Sequence, residues 1–152
     1  MFGKPSGKEA VVRNVYRALE ESQLKYETKD EAIMLSAMGD DLPIGMMILP
    51  DQENATLNIY CYLMFDIPSD ARSKLIPELN SINNMINNGA FFMDDTEPKI
   101  YFKIVQSFID DVPSVKTIKH LVTIAFKTVD VNDGKLKDLI PKNALRKDVM
   151  YS

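Results

Sequence analysis

Between Leu75 and Val105 the chain reads LIPELNSINNMINNGAFFMDDTEPKIYFKIV, and the spacing of its apolar residues changes from helical to strand-like across one glycine. That change narrows the possible folds sharply, because a period near 3.6 and a period of 2 cannot share one element. Leu75, Leu79, Ile82 and Ile86 form a helical stripe, with Asn80, Asn83, Asn84 and Asn87 beside it. Gly89 is expected to terminate this helix. Ala90 to Asp94 then reads as a strand, Asp94 to Pro98 as a turn and Lys99 to Gln106 as a second strand, which together predict a hairpin. In the second strand Ile100, Phe102 and Ile104 alternate with Tyr101, Lys103 and Val105, so the two sets face opposite ways. At the other end of the helix Ser69 suits an N-cap and Asp70 suits the positive end of the dipole. Pro77 predicts a kink or a restart within one helix.

The flanking segments complete an α+β pattern. Val11, Val12, Val15, Tyr16 and Leu19 recur at helical spacing and predict an amphipathic helix ending near Gln23. From Leu24 to Phe65 the period is that of strands, broken by turn clusters at Lys29-Asp30-Glu31, Gly39-Asp40-Asp41 and Pro50 to Asn54, which predicts three or four antiparallel strands. In the clearest of them, Ala55 to Phe65, Leu57, Ile59, Cys61, Leu63 and Phe65 alternate with Asn58, Tyr60, Tyr62 and Met64. A second face that carries Tyr and Met instead of Lys and Glu implies cover by another layer or by a partner. Ser114 is placed to cap a last helix whose stripe is Val115, Ile118, Leu121, Val122, Ala125 and Val129, with Asp133-Gly134 closing it. The expected order is α-β-β-β-α-β-β-α: an antiparallel sheet of about five strands flanked by helices. Residues 1–152 read as a single domain, with a loose N-terminal arm at 1–7, a short docked segment after Gly134 and a charged C-terminal tail at 141–152.

Composition limits function. A formal charge of -4 and a pI near 5.0 leave little of the clustered Lys and Arg that a nucleic-acid binder needs, so no nucleic-acid partner is expected. Cys61 is the only cysteine and lies in an apolar run, which points to a reducing compartment and a cytoplasmic location. MFGKPSGKEA has no apolar centre of a signal peptide, and no run approaches the roughly 18 apolar residues of a membrane span. No membrane partner is expected.

The segments LIPELNSIN, NGAFFMDD, KIYFK and PSVKTIKHLV, together with the element order, resemble the YbjN-type family of candidate bacterial sensory transduction regulators over roughly Glu9 to Leu139. The family's Leu-Asn-x-x-Asn feature matches Leu79, Asn80 and Asn83. The resemblance implies a fold like that of type III secretion chaperones, a dimer, and a binding or regulatory role. It supplies no catalytic residues.

Several motifs invite chemistry and fail on spacing. Asp130-Val-Asn-Asp-Gly134 resembles a calcium loop, but its glycine comes one position early and Pro141 stands where the closing Glu belongs, so it reads as a helix end. Gly3-Lys4-Pro5-Ser6-Gly7-Lys8 lacks the glycine spacing and the preceding strand of a phosphate loop. His120 has no second imidazole and no nucleophile, and Cys61 reads as a small buried hydrophobe. The pairs Asp40-Asp41, Asp94-Asp95 and Asp110-Asp111 fit turns; they could serve acid/base work or a cation if separate loops gathered them. No cofactor, metal or catalytic residue is assigned.

Two sets of residues remain as candidate partner-binding groups. Asn80 and Asn83 either clamp a partner's backbone or bond to a neighbouring loop. Tyr60, Tyr62, Met64 and Tyr101, with Met34 and Met38, lie opposite the core and are covered either by a helix of this chain or by a partner. The expected function is a non-catalytic protein-binding or regulatory domain, chaperone-like and homodimeric. The alternative is a small-ligand-sensing or enzymatic domain built on the Asn-rich helix and the acidic turns.

Overall fold

The computed structural model describes residues 7–141. Along them the chain forms α1 (Gly7–Glu21), β1 (Glu27–Lys29), β2 (Ala32–Met38), β3 (Pro43–Asp51), β4 (Thr56–Leu63), a 3-10 turn (Ser69–Ala71), α2 (Arg72–Met85), β5 (Ala90–Met93), β6 (Ile100–Ser107) and α3 (Val115–Asp138). The six strands make one antiparallel sheet in the order β1-β2-β3-β4-β6-β5. The architecture is the expected α+β one. The run before α2 holds four strands, the additional one being β1, three exposed residues paired with the start of β2.

Alternation along the strands divides the sheet into two faces. In register, Leu35, Met46, Cys61, Phe102 and Phe91 form one cross-sheet row, and Ile33, Ile48, Ile59 and Ile104 form the next. All are buried, and α1 and α3 lie over them: Val11, Val15, Ala18 and Leu19 from the first helix, Ile118, Leu121, Val122, Ala125 and Val129 from the last. Each fully buried Leu, Ile or Phe in such a layer contributes about 1.5–3 kcal/mol relative to exposure. Phe91 and Phe102 meet at 5.0 Å between ring centroids. Helix α2 buries Leu75 and Leu79 and packs against β5, with Ile82 and Ile86 partly buried beside the core.

Several local expectations need correcting. Ser69 does not cap α2. It opens the 3-10 turn, in which the Ala71 N–H donates to the Pro68 carbonyl at 2.9 Å, and the helix proper starts after Ala71 with no side-chain cap. Pro77 is then an interior residue of a single helix. Gly89 does not terminate that helix, which ends at Met85 with Ile86 already extended. It opens β5 instead, with φ +77°, and a Cβ there would come within 2.7 Å of Phe102, Ile104 and the Lys103 carbonyl, so only glycine fits. Nor does Asp133-Gly134 close α3. The helix continues to Asp138, since Gly134 serves close packing: a Cβ there would lie 2.5 Å from Asp41 Oδ2. Lys135 to Asp138 are therefore helix and no separate docked segment, and Leu136 and Ile140 continue the buried stripe. Ser114 does cap α3, its Oγ accepting the Thr117 N–H at 3.1 Å. The arm and the tail expected at the ends lie outside the described residues, apart from Gly7, which already belongs to α1, and Pro141.

Candidate functional site on the open sheet face

The second face of the sheet carries Ser36, Gly45, Tyr62, Tyr101 and Phe92 in one row and Glu27, Met34, Met47, Tyr60, Lys103 and Ala90 in the next. Among the described residues no helix packs over it, since α1 and α3 take the other side and α2 sits at β5. The three tyrosines touch one another: ring centroids are 6.4 Å apart for Tyr60 and Tyr62, 6.2 Å for Tyr60 and Tyr101, and 5.9 Å for Tyr62 and Tyr101. Phe92 stacks on Tyr101 at 5.3 Å. Lys103 Nζ stands 5.3 Å from the centre of the Tyr60 ring, a cation–π contact that shields part of its charge. Partial burial among its neighbours, then Tyr60, Tyr101 and Asp94, raise the pKa of the Tyr62 hydroxyl above its ordinary value.

Apolar surface is left over. Phe92 is 41% exposed, Val105 49% and Met64 55%. Met64 follows the end of β4, and its sulfur would lie 3.5 Å from a Cβ on Gly45. Tyr60, Tyr62, Met64 and Tyr101 are thus gathered on one surface, joined by Met34, Met47 and Phe92. Met38 extends the same side of β2 to the hairpin tip and is 77% exposed. Gly45, Met47 and Phe92 were missed by sequence reasoning, although the two-residue period of β3 and β5 carried the signal.

Asn80 and Asn83 lie apart from this patch, on α2. Asn83 Nδ2 donates to the Phe91 carbonyl at 3.0 Å, and its Oδ1 accepts the Phe91 N–H at 2.7 Å, so one amide takes the place of a strand neighbour along the outer edge of β5. Asn80 is exposed, and its carbonyl accepts from Asn84 Nδ2 at 3.0 Å. At the opposite edge β2 outruns β1, so Leu35 to Met38 have no outer strand partner. An open groove of about 760 Å³ lies there, lined by Leu24, Tyr26, Met34, Leu35 and Ser36 among others.

The acidic pairs resolve differently from one another. Asp94 Oδ1 accepts the Thr96 and Glu97 N–H groups at 2.9 and 3.0 Å, and these bonds hold its pKa below the usual carboxylate range. Asp111 Oδ1 accepts the Val112 N–H at 2.9 Å. Asp40-Asp41 alone meets carboxylates from another element, Asp130 and Asp133 of α3. Among the described residues no group of three or more His, Cys, Asp or Glu is arranged to hold a metal ion. His120 is exposed. Burial pushes the Cys61 thiol up to about 12, which leaves it without thiolate character near neutral pH. Among the described residues no helix is long and apolar enough to cross a membrane.

No protein-family model matches the chain, and no curated protein matches it in sequence. Solved structures do match in fold. The crystal structure of YbjN, a candidate transcription regulator from E. coli, superposes with a TM-score of 0.67 at 14% identity, over 84% of this chain and 91% of that one. A chain of the ExsC–ExsE complex superposes with a TM-score of 0.56 at 15% identity, over 88% of this chain and 96% of that one. The six-stranded antiparallel sheet with three helices thus has the YbjN-type, type III secretion chaperone-like fold.

Proposed function

We propose that the chain is a non-catalytic, chaperone-like protein-binding domain of the bacterial cytoplasm that works as a homodimer joined through the open sheet face. The observation that carries this reading is the contiguous cluster of Tyr60, Tyr62, Tyr101 and Phe92, partly exposed on a sheet whose reverse side is already full. Rigid aromatic area next to adaptable methionine favours protein contact. The two central rows hold two charges of opposite sign, Lys103 and, at the β1 edge, Glu27, so two copies can meet there with little like-charge repulsion. Gly45 adds support. Its φ is not in the left-handed region, and a Cβ there would make only an ordinary van der Waals contact with Met64. Among the described residues nothing requires a glycine there, and a strand glycine facing outward admits close approach by another backbone.

That one of the structural neighbours is a chain from a complex of two proteins supports a protein partner in addition to the second copy. Asn80, exposed on α2 apart from this surface, remains a candidate contact; the Asn83 amide is occupied by Phe91. Sedimentation velocity on the purified chain tests the reading. The expected mass is twice 17.2 kDa, falling to the monomer in Tyr62→Glu with the circular dichroism spectrum unchanged. A monomer at high concentration for the unaltered chain would refute it.

A further inference from the structure

Away from the open face, the turn between β2 and β3 meets α3 in a corner built by two glycines. A side chain at Gly39 would run into the Asp130 carboxylate and the Leu42 carbonyl oxygen, and one at Gly134 would strike Asp41 Oδ2. The gap they leave lets Asp130 Oδ1 accept the Asp40 N–H at 2.7 Å, while the Gly39 N–H donates to the Leu42 carbonyl at 2.9 Å. The turn is therefore pinned to the helix by a carboxylate. Beside this pin lies Asp133, only 1% exposed, on a face of α3 otherwise filled by Val129 and Leu136. Its Oδ1 accepts the adjacent Gly134 N–H at 2.7 Å, and its Oδ2 is buried with no partner among the described residues.

An unpaired buried carboxylate is costly unless it is neutralised. The charged groups that act on Asp133 are Asp130 on its own helix and Asp41 from the turn, both of its own sign. Burial first of all, and then these two neighbours, raise its carboxyl pKa to about 6 against the partial opposition of the Gly134 amide. We propose that this corner is an acid-tightened latch: a proton on Asp133 Oδ2 seats the 39–42 turn against α3, and loss of that proton loosens the turn by adding a third negative charge beside Asp41 and Asp130. Protonation also converts the one unpartnered acceptor into a donor, in a corner whose neighbouring side chains are acceptors. The turn is the tip of the β2–β3 hairpin, next to Met38, so the latch sets how firmly that end of the sheet is held. It does not rest on the binding-face reading.

The sign follows from linkage. The folded chain holds a proton up to about pH 6 that the unfolded chain releases near 3.8. The contribution is complete below the lower value and is lost as pH rises through the upper one. Hydrogen exchange corrected for intrinsic rate, with thermal melts at about pH 5 and about pH 7.5, tests the latch. From the lower to the higher pH the unaltered chain is expected to lose roughly tenfold protection at the Gly39 and Asp40 amides and about 4 °C in Tm. Asp133→Asn should lose most of that difference and melt at least as high as the unaltered chain at pH 7.5. An unchanged pH dependence in Asp133→Asn would overturn the proposal. If the variant fails to fold, carbon-13 titration of Asp133 in the unaltered chain decides: a midpoint near 6 supports the latch, and one near 4 refutes it. Stabilisation by calcium at pH 7.5 that Asp133→Asn abolishes would also refute it, by making the corner a cation site.

Discussion

Tyr101 and Phe102 are consecutive in β6, yet they belong to two different surfaces. Phe102 is fully buried between Cys61 and Phe91 under the helices, whereas Tyr101 stacks on Phe92 in the open. The same strands thus build a face that holds the monomer together and a face with area to spare. A residue of the first kind does work within the fold, and one of the second kind is available for association.

The sharpest way to break this contrast is to truncate both neighbours. Phe102→Ala should destabilise the fold by about 4 kcal/mol through lost burial and the cavity left behind. Tyr101→Ala should cost less than about 1 kcal/mol when unfolding is followed under conditions where the chain is monomeric. Denaturant titration of each measures this, and equal costs would erase the distinction between the faces. The two glycines give a second contrast of smaller size. Gly89→Ala should cost about 2 kcal/mol, because both the positive φ and the approach of β6 exclude a methyl group there. Asn83→Ala should cost about the same, since it strips both partners from the buried Phe91 backbone, and hydrogen exchange should show the Phe91 amide opening first. Gly45→Ala should change monomer stability by less than about 1 kcal/mol, in the stabilising direction if at all, as a strand position gaining a Cβ that meets only Met64 in ordinary contact.

The two faces were legible in the sequence because strand alternation is strict: Leu57, Ile59, Cys61 and Leu63 against Asn58, Tyr60 and Tyr62 needs no tertiary knowledge. Whether a helix of the chain would also cover the second face was not legible, as that face too was apolar enough to attract one. Local punctuation misled where a residue served a distant neighbour. Gly89 and Gly134 look like helix stops, but one makes room for β6 and the other for Asp41. The stripe that continues from Val129 to Leu136 and Ile140 was the available sign that α3 runs on. Which partner the Asn83 amide takes was not legible, because Phe91 comes alongside only once α2 folds back on β5. The burial of Asp133 had no sequence signal, since a lone aspartate before a glycine is ordinary turn chemistry.

One experiment bears most directly on the claim that the open face is a contact surface. Sedimentation velocity of the unaltered chain, Gly45→Leu and Tyr62→Glu side by side should give a dimer for the first and monomers for both variants, all three with the same circular dichroism spectrum. A dimer that survives both substitutions would contradict the account.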